Sequence, residues 1–425
     1  MGLSFRDSLE GTVRPLAIPA NRPLTMYVCG PTVYDATHVG HGRTYLYFDL
    51  LRRVLLDRGV RTRVVRNITD YEDKVSWRAE ALGIPWRTLA RREERRFRAD
   101  LDRLRILPVE YEPRASEFVP RMIEVGRRLE RTGRVERRGD SWVYCPPPPS
   151  GRNFPEGDDF RAHMVPEPGL DPTAPGDGLR EILVWRRQSS PMATWSGPWG
   201  RGAPGWHLEC YAMAERYVGV PVDLHGGGMD LIFPHHYAEN EIALALNGAL
   251  FSRRFLHTGF VTQLRRKMSK SRGNLVPLAR ALDDLGPDGV RWYLLSRPYH
   301  ARLEWVPTEA ARAAEEFEEV RRRLAEVVTP GAGGSLVAHQ LEGLADRVRE
   351  RIEDGFAVEG ALEELRGFAA AVGAAGSSHL ARGEASRGRR SLRRIEGLLG
   401  LSILPPTPDR ARRPRPTGRG GRGSG

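Results

Sequence analysis
Two lysines three residues apart, in Lys267-Met268-Ser269-Lys270-Ser271, stand out chemically because only three of the chain's 66 basic side chains are lysines. An ammonium is a compact point charge on a flexible stem, whereas a guanidinium is a planar fork, so the two are not interchangeable at a crowded phosphate. A chain that otherwise uses arginine, yet has lysines here, needs that point charge. Taken alone, the five residues also read as a solvated basic loop. Far upstream, Thr37-His38-Val39-Gly40-His41 sets two imidazoles around a glycine. Gly40 lets the backbone come close to a ligand, and a helix beginning there offers unpaired N–H groups and a positive dipole end. His38 and His41 can donate to phosphate oxygens as charge builds in a displacement at an α-phosphate.

A second set of residues has the chemistry of a metal site. Cys29, Cys210 and His235 are distant in sequence, and Glu239 follows His235 by four positions. If a helix starts after Pro234, His235 and Glu239 share one face. Two thiolates, an imidazole and a carboxylate make a tetrahedral zinc site. Each cysteine alone reads equally well as a small buried apolar residue. No Ser/His/Asp or paired-carboxylate constellation argues for hydrolysis.

The elements that must position these groups follow from pattern. Leu24 to Cys29 reads as a buried strand, Gly40 to Arg58 as a helix stopping before Gly59, and Arg61 to Ile68 as the next strand. This βαβ unit predicts an α/β fold with a parallel sheet. Trp86 to Arg138 is helical and highly charged in pattern. Cys145 to Gly178 is rich in proline and predicts an irregular surface insertion. Val220 to His225, ahead of Gly226-Gly227-Gly228, and Phe255 to Val261 are further strand candidates. Amphipathic stretches at 308–328, 339–354, 357–371 and 384–399 predict a helical bundle. Six arginines among prolines and glycines after Pro405 predict a disordered basic tail. The expected division is a leader (1–22), a Rossmann-type catalytic domain (23–275) with an insertion at about 85–195, a connecting segment (276–330), a bundle (331–404) and the tail (405–425).

The His-Val-Gly-His and Lys-Met-Ser-Lys-Ser pair resembles the two signature motifs of class I aminoacyl-tRNA synthetases. That resemblance implies a nucleotide-binding fold with His38, His41, Thr37 and Gly40 near the ATP phosphates, and Lys267 and Lys270 stabilising the transition state. Gly226-Gly227-Gly228-Met229-Asp230 is similar to the family's third element, in which the glycines let adenosine lie on the backbone and Asp230 holds a ribose hydroxyl. Met26 to Asp35, Asn67-Ile68-Thr69-Asp70, Pro204 to Cys210 and Phe233-Pro234-His235-His236 resemble the cysteinyl-tRNA synthetases from about residue 24 to 400. The resemblance implies zinc bound to the substrate thiol, with Trp206, Thr69 and His225 around the cysteine. A site demanding a sulfur–metal bond rejects serine without editing, because a hydroxyl is a poor, hard ligand of far higher pKa. The family usually reads His-His-Glu-Asn-Glu, whereas Tyr237-Ala238 intervenes here. A gapless reading makes Glu239 the fourth ligand, and a true insertion makes it Glu241.

These readings predict a cysteine–tRNA ligase that uses ATP with Mg²⁺, L-cysteine and tRNA(Cys). Two alternatives keep part of the pattern. The chain stops near Leu404 without the usual anticodon-binding domain, which also resembles the mycothiol-pathway ligases that join cysteine to an aminosugar–inositol amine. Glu239, which those ligases lack, and the phrase Gly30-Pro31-Thr32-Val33 weigh towards the tRNA enzyme. An inactive RNA-binding paralogue is the second alternative, opposed by the intact histidine, lysine and metal sets. The net charge of +12 suits a polyanionic partner, although arginine-rich usage also follows from nucleotide composition. Three scattered cysteines, no secretory signal and no run of about 20 apolar residues predict a cytoplasmic protein without a membrane span. A monomer is expected, although no residue pattern fixes the oligomeric state.

Overall fold
The computed structural model describes residues 2–148, 151, 153–154, 180–189, 192–264, 266–267, 275–330, 335–374 and 380–405. A short hairpin, β1 (Ser4–Arg6) and β2 (Val13–Pro15), precedes β3 (Leu24–Val28), helix α1 (Val39–Asp57) and β4 (Thr62–Arg66). Helices α2 (Asp73–Ala81), α3 (Trp86–Arg103) and α4 (Val119–Glu130) follow. They lead to β5 (Val135–Arg138), β6 (Ser141–Tyr144), β7 (Ile182–Arg187), β8 (Trp195–Gly197) and β9 (Gly200–Pro204), an antiparallel sheet ordered β5-β6-β7-β9-β8. Helix α5 (Trp206–Tyr217), β10 (Leu224–Gly228), helix α6 (Tyr237–Asn247) and β11 (Phe255–Thr258) return the chain to the first sheet, ordered β11-β10-β3-β4. A small sheet joins β12 (Val261–Gln263), β13 (Arg266–Lys267) and β14 (Leu303–Glu304), with helix α7 (Leu278–Leu294) between the last two. Four helices end the described chain: α8 (Pro307–Val327), α9 (Ser335–Glu353), α10 (Val358–Ala374) and α11 (Arg382–Leu399).

The sheet ordered β11-β10-β3-β4 is parallel throughout. All five residues of β3 are buried, because helices cover both faces of such a sheet and its strands carry continuous apolar runs. This is the α/β architecture expected from the βαβ pattern. The glycine triplet differs from expectation. The strand begins at Leu224 rather than Val220 and runs through all three glycines instead of ending before them. A Cβ at Gly226 would lie 1.8 Å from the Leu256 carbonyl oxygen and 2.9 Å from the Phe48 ring. Glycine is the residue that lets β10 fit between β11 and α1. The Phe255–Val261 candidate is two strands, since Gly259 breaks it against the Ala301 carbonyl. The charged segment from Trp86 ends in strand β5 rather than staying helical. Most of the proline-rich insertion, the Lys270 loop and the tail from residue 406 lie outside the described residues. Phe154 is described and is buried against Phe255 and His257, so that part of the insertion is core rather than surface. Among the described residues no helix is long and apolar enough to cross a membrane.

The bundle is locked to the catalytic half by one buried cation. The fully buried Arg291 guanidinium donates to Asp49 Oδ2 at 3.0 Å, to the Leu399 carbonyl at 2.6 Å and to the Leu104 carbonyl at 2.8 Å. Burial draws its pKa down to about 10 against the pull of Asp49. Removing one partner of a buried ion pair leaves a charge without compensation and costs about 3–5 kcal/mol. Asp49→Ala is therefore expected to lower unfolding free energy by that amount in urea denaturation.

Candidate functional site
The helix that follows β3 begins at the first histidine of the phosphate motif. His38 caps α1, and its Nδ1 accepts from the backbone N–H groups of Gly40 (3.1 Å) and His41 (3.4 Å). With Nδ1 accepting, the neutral ring carries its proton on Nε2. The His38 and His41 rings stack at 3.8 Å. An alanine Cβ at position 40 would lie 2.9 Å from the His38 ring, so glycine keeps the cap and the stack together. This turn is also paired with the chain just beyond the lysine motif. His38 bridges Pro277, Val39 N–H donates to the Val276 carbonyl, and Leu278 N–H donates to the Thr37 carbonyl. Lys267 lies in β13 by its backbone, opposite Thr262. The side chain of Lys267 and all of Lys270 lie outside the described residues.

The four proposed metal ligands converge, although they come from three distant segments. Cys29 follows β3, Cys210 lies in the first turns of α5, and His235 lies in the irregular turn Ile232–His236 that leads into α6. The helix starts at Tyr237, two residues later than His235. Cys29 and Cys210 sulfurs are 3.7 Å apart, Cys210 Sγ is 3.3 Å from His235 Nε2, and His235 Nε2 is 3.1 Å from Glu239 Oε1. One donor atom from each of these four buried residues lies within 4.8 Å of every other. Glu241 sits elsewhere, accepting from Asn153 Nδ2 at 2.8 Å.

His225, expected beside the substrate, lies against this set. Its Nδ1 is 2.9 Å from the Tyr27 carbonyl and its Nε2 is 2.7 Å from Glu239 Oε2. Burial opposes charge on both His225 and His235, but the Glu239 carboxylate overrides it and raises them to about 9 and about 10. Burial would raise Glu239, yet the neighbouring imidazoles, His235 foremost, bring it down to about 2. Burial also opposes the Cys29 thiolate, but hydrogen bonding from Cys210 and the His236 and His235 charges hold its pKa well below normal. Burial and the Cys29 sulfur push Cys210 the other way. Without a cation, two sulfurs this close therefore share one thiolate. A dication would let both ionise, and Glu239 Oε1, although 3.1 Å from His235 Nε2, is a buried oxygen that accepts no well-aligned hydrogen bond. The residues present fit a thiophilic metal.

Two site residues were not singled out by sequence reasoning. His236 Nε2 lies 3.2 Å from Cys29 Sγ, and Cys29, His225, His236 and Glu239 form a second group with ligand geometry. Its signal was the doubled histidine after Pro234. Glu209, beside Cys210, is 1% exposed and accepts from Thr69 Oγ1 at 2.9 Å. Burial raises its pKa well above the carboxylate range, and Glu72 and Asp70 add to the shift. Thr69 thus faces Glu209. Trp206, at the start of α5, stacks on the His235 ring at 4.0 Å and 13°. Asp230 lies in a 3-10 turn after β10, and a Cβ on Gly228 would come 2.5 Å from its Oδ1. A Cβ on Gly227 would face Leu231 at 2.7 Å and Cys29 at 3.5 Å.

Residues 16–315 match the family of class I (C) tRNA synthetase catalytic domains. The chain belongs to that family. Two relatives are named L-cysteine:1D-myo-inositol 2-amino-2-deoxy-alpha-D-glucopyranoside ligase. The one from Thermobispora bispora is 39% identical over 352 residues, covering 82% of this chain and 85% of the relative. The one from Parafrankia sp. (strain EAN1pec) is 36% identical over 418 residues, covering 96% and 90%. Among solved structures, Mycobacterium tuberculosis methionyl-tRNA synthetase bound by methionyl-adenylate superposes with a TM-score of 0.63 at 20% identity, over 90% of this chain and 93% of that one. Agrobacterium radiobacter K84 LeuRS, from a ternary complex, gives 0.63 at 13% identity over 90% and 84%. These two establish the class I synthetase fold.

The relatives overturn the expectation of a cysteine–tRNA ligase with tRNA(Cys) as acceptor. The reason is physical. Every motif behind that reading was assigned to ATP or to the substrate thiol, and neither task depends on which nucleophile later takes the cysteinyl group. The Glu239 carboxylate, read as favouring tRNA, packs with the Cys29, Cys210 and His235 donor atoms and so carries no information about the acceptor.

Elemental analysis of purified protein checks the metal centre without an activity readout. Cys210→Ala is expected to drop bound zinc from about one equivalent to a small fraction, whereas Glu241→Gln retains it.

Proposed function
We propose that this chain is an ATP-dependent ligase that activates cysteine as an adenylate and joins it to the amine of an aminosugar–inositol. The observation that supports the acceptor is the pair of relatives sharing that name at 36–39% identity, one of them matching across 96% of the chain.

In the first step a cysteine carboxylate oxygen attacks the α-phosphorus of ATP, and pyrophosphate leaves with its bond electrons. A carboxylate is already a competent nucleophile, so the chain's residues need to position the reactants and neutralise charge. Thr37, Gly40 and the N-terminus of α1 receive the phosphates. His38, with Nδ1 committed to the helix cap, offers Nε2–H as a donor, and His41 stacks beside it. Lys267 and Lys270 supply compact point charges, with Mg²⁺ sharing the phosphate charge. Gly226, Gly227 and Gly228 keep the adenosine path clear of side chains, and Asp230 takes a ribose hydroxyl. Cys29, Cys210, His235 and Glu239 would hold zinc, which when bound supplies a Lewis acid that ionises a thiol and discriminates against a hydroxyl. Trp206 and Thr69 border the cysteine, and His225 orients Glu239 from behind. In the second step the acceptor amine nitrogen attacks the adenylate carbonyl carbon. The C–N bond forms, AMP leaves with the C–O electrons, and the nitrogen gives up a proton.

Labelled cysteine and ATP offered to tRNA in one reaction and to the aminosugar–inositol in another test the acceptor. Label is expected in the aminosugar product alone, and label on tRNA alone would sink the proposal. Lys270→Ala is expected to lower cysteine-dependent exchange of pyrophosphate into ATP by about 10²-fold or more, the scale of losing a charge-stabilising donor.

A further inference from the structure
A second buried guanidinium differs from the Arg291 clamp. Arg43 lies in the second turn of α1, two residues beyond His41, and is fully buried. Arg291 has Asp49 as a counter-ion, whereas Arg43 forms no ion pair among the described residues. Glu359 feels its charge only at longer range. Four backbone carbonyls receive it instead. Nη1 donates to Gly259 at 3.0 Å and to Ala301 at 2.7 Å, Nη2 to Pro298 at 2.9 Å and Nε to Leu294 at 3.4 Å. Burying a cation without a carboxylate is costly, and near the start of a helix it gains nothing from the dipole. Its N–H groups, set in a planar fork, serve several chain segments at once, which an ammonium on a single stem does not match.

Those carbonyls share a destination. Gly259 joins β11 to β12, and Ala301 leads into β14. These two strands are parallel neighbours, with Val261 opposite Leu303, and β13 lies on the other edge of β12 with Lys267 opposite Thr262. Gly259 is pressed against the same connection. Its N–H donates to the Tyr299 carbonyl at 2.8 Å, and a Cβ would lie 2.3 Å from the Ala301 oxygen. One turn along α1, the Tyr47 hydroxyl donates to the Arg297 carbonyl at 2.5 Å. Arg43 and Tyr47 thus hold the connection from α7 to β14 along its length, and the Gly259 bond adds the root of β12. Beyond the lysine motif, Val276 and Leu278 are bonded to the start of α1. Both flanks of the motif are therefore fixed to the helix that His38 caps. We propose that Arg43 is a positioning residue for adenylation: it sets where the strand bearing Lys267 stands relative to the His38–His41 turn, so that both meet one phosphate chain. The inference rests on the adenylation step of the proposed function and does not depend on the acceptor.

Two variants reach this contact from opposite sides. Arg43→Lys keeps the charge and loses the fork, and Gly259→Ala drives a methyl group towards the Ala301 oxygen while leaving Arg43 in place. In cysteine-dependent exchange of pyrophosphate into ATP, measured below each variant's melting midpoint, kcat is expected to fall about 10²-fold, the scale of a misplacement by about 1 Å. The cysteine KM is expected to stay within about twofold, because the metal ligands come from β3, α5 and the turn before α6, which Arg43 does not touch. A double-mutant cycle with Lys267→Ala identifies the route. If Arg43 acts through that strand, Lys267→Ala added to either variant lowers kcat far less than it does in the wild-type background. Losses that multiply, or a Lys267→Ala variant as active as wild type, overturn the proposal. So does a kcat near the wild-type value in the folded variants, since a shifted melting midpoint alone is what an architectural clamp gives. A cysteine KM that rises in step with the fall in kcat marks general loosening and overturns it too. If Arg43→Lys does not fold, Gly259→Ala carries the same test. Wild-type protein without cysteine-dependent exchange removes the adenylation reading itself.

Discussion
Two sulfur atoms 3.7 Å apart, with a carboxylate and several imidazoles packed around them out of reach of water, set the central constraint on this fold. So much acidic and thiol functionality in one dry place is tolerable only if positive charge joins it. The surrounding architecture brings the groups together. A parallel sheet aims the ends of β3 and β10 at the same point, and α5 and the turn before α6 start from that end. Gly226 has no side chain because β10 must pass between a neighbouring carbonyl and a phenylalanine ring to get there. The phosphate turn at His38 begins on the same strand's exit, ten residues beyond Val28.

Much of this was legible before any coordinates. β3, α1 and β4 fall within one or two residues of their expected limits because a doubly covered strand and an amphipathic helix leave unmistakable patterns. The four bundle helices were equally plain. Among the site residues, Cys29, Cys210, His235 and Glu239 meet as their types implied, even though the helix carrying Glu239 starts later than expected. Other features had no local signature. A glycine triplet reads as a turn unless one knows which carbonyl it must pass. Glu209 looks like an ordinary helix-face acid until Thr69, 140 residues away, is found opposite it. His236 and His257 approach within 2.6 Å only through tertiary packing.

The acceptor was the hardest part to read. Adenylation is carried by charge and close backbone approach, which demand particular residue types at particular spacings and so leave words in the sequence. Recognition of an acceptor, by contrast, can rest on ordinary polar side chains contributed by separate elements, which no spacing advertises. Sequence likeness over the whole chain, bundle included, registers that difference where motifs do not.

The clamp at Arg291 has a consequence for architecture. Its guanidinium grips the Leu399 carbonyl, Gly400 turns the chain in a left-handed conformation beside it, and Glu396 Oε1 takes the backbone N–H groups of Ile403 and Leu404. The chain therefore leaves the bundle at a fixed position and heading, moored to the first helix of the catalytic half through Asp49. A module appended at that point would inherit a rigid exit vector rather than a swinging tether.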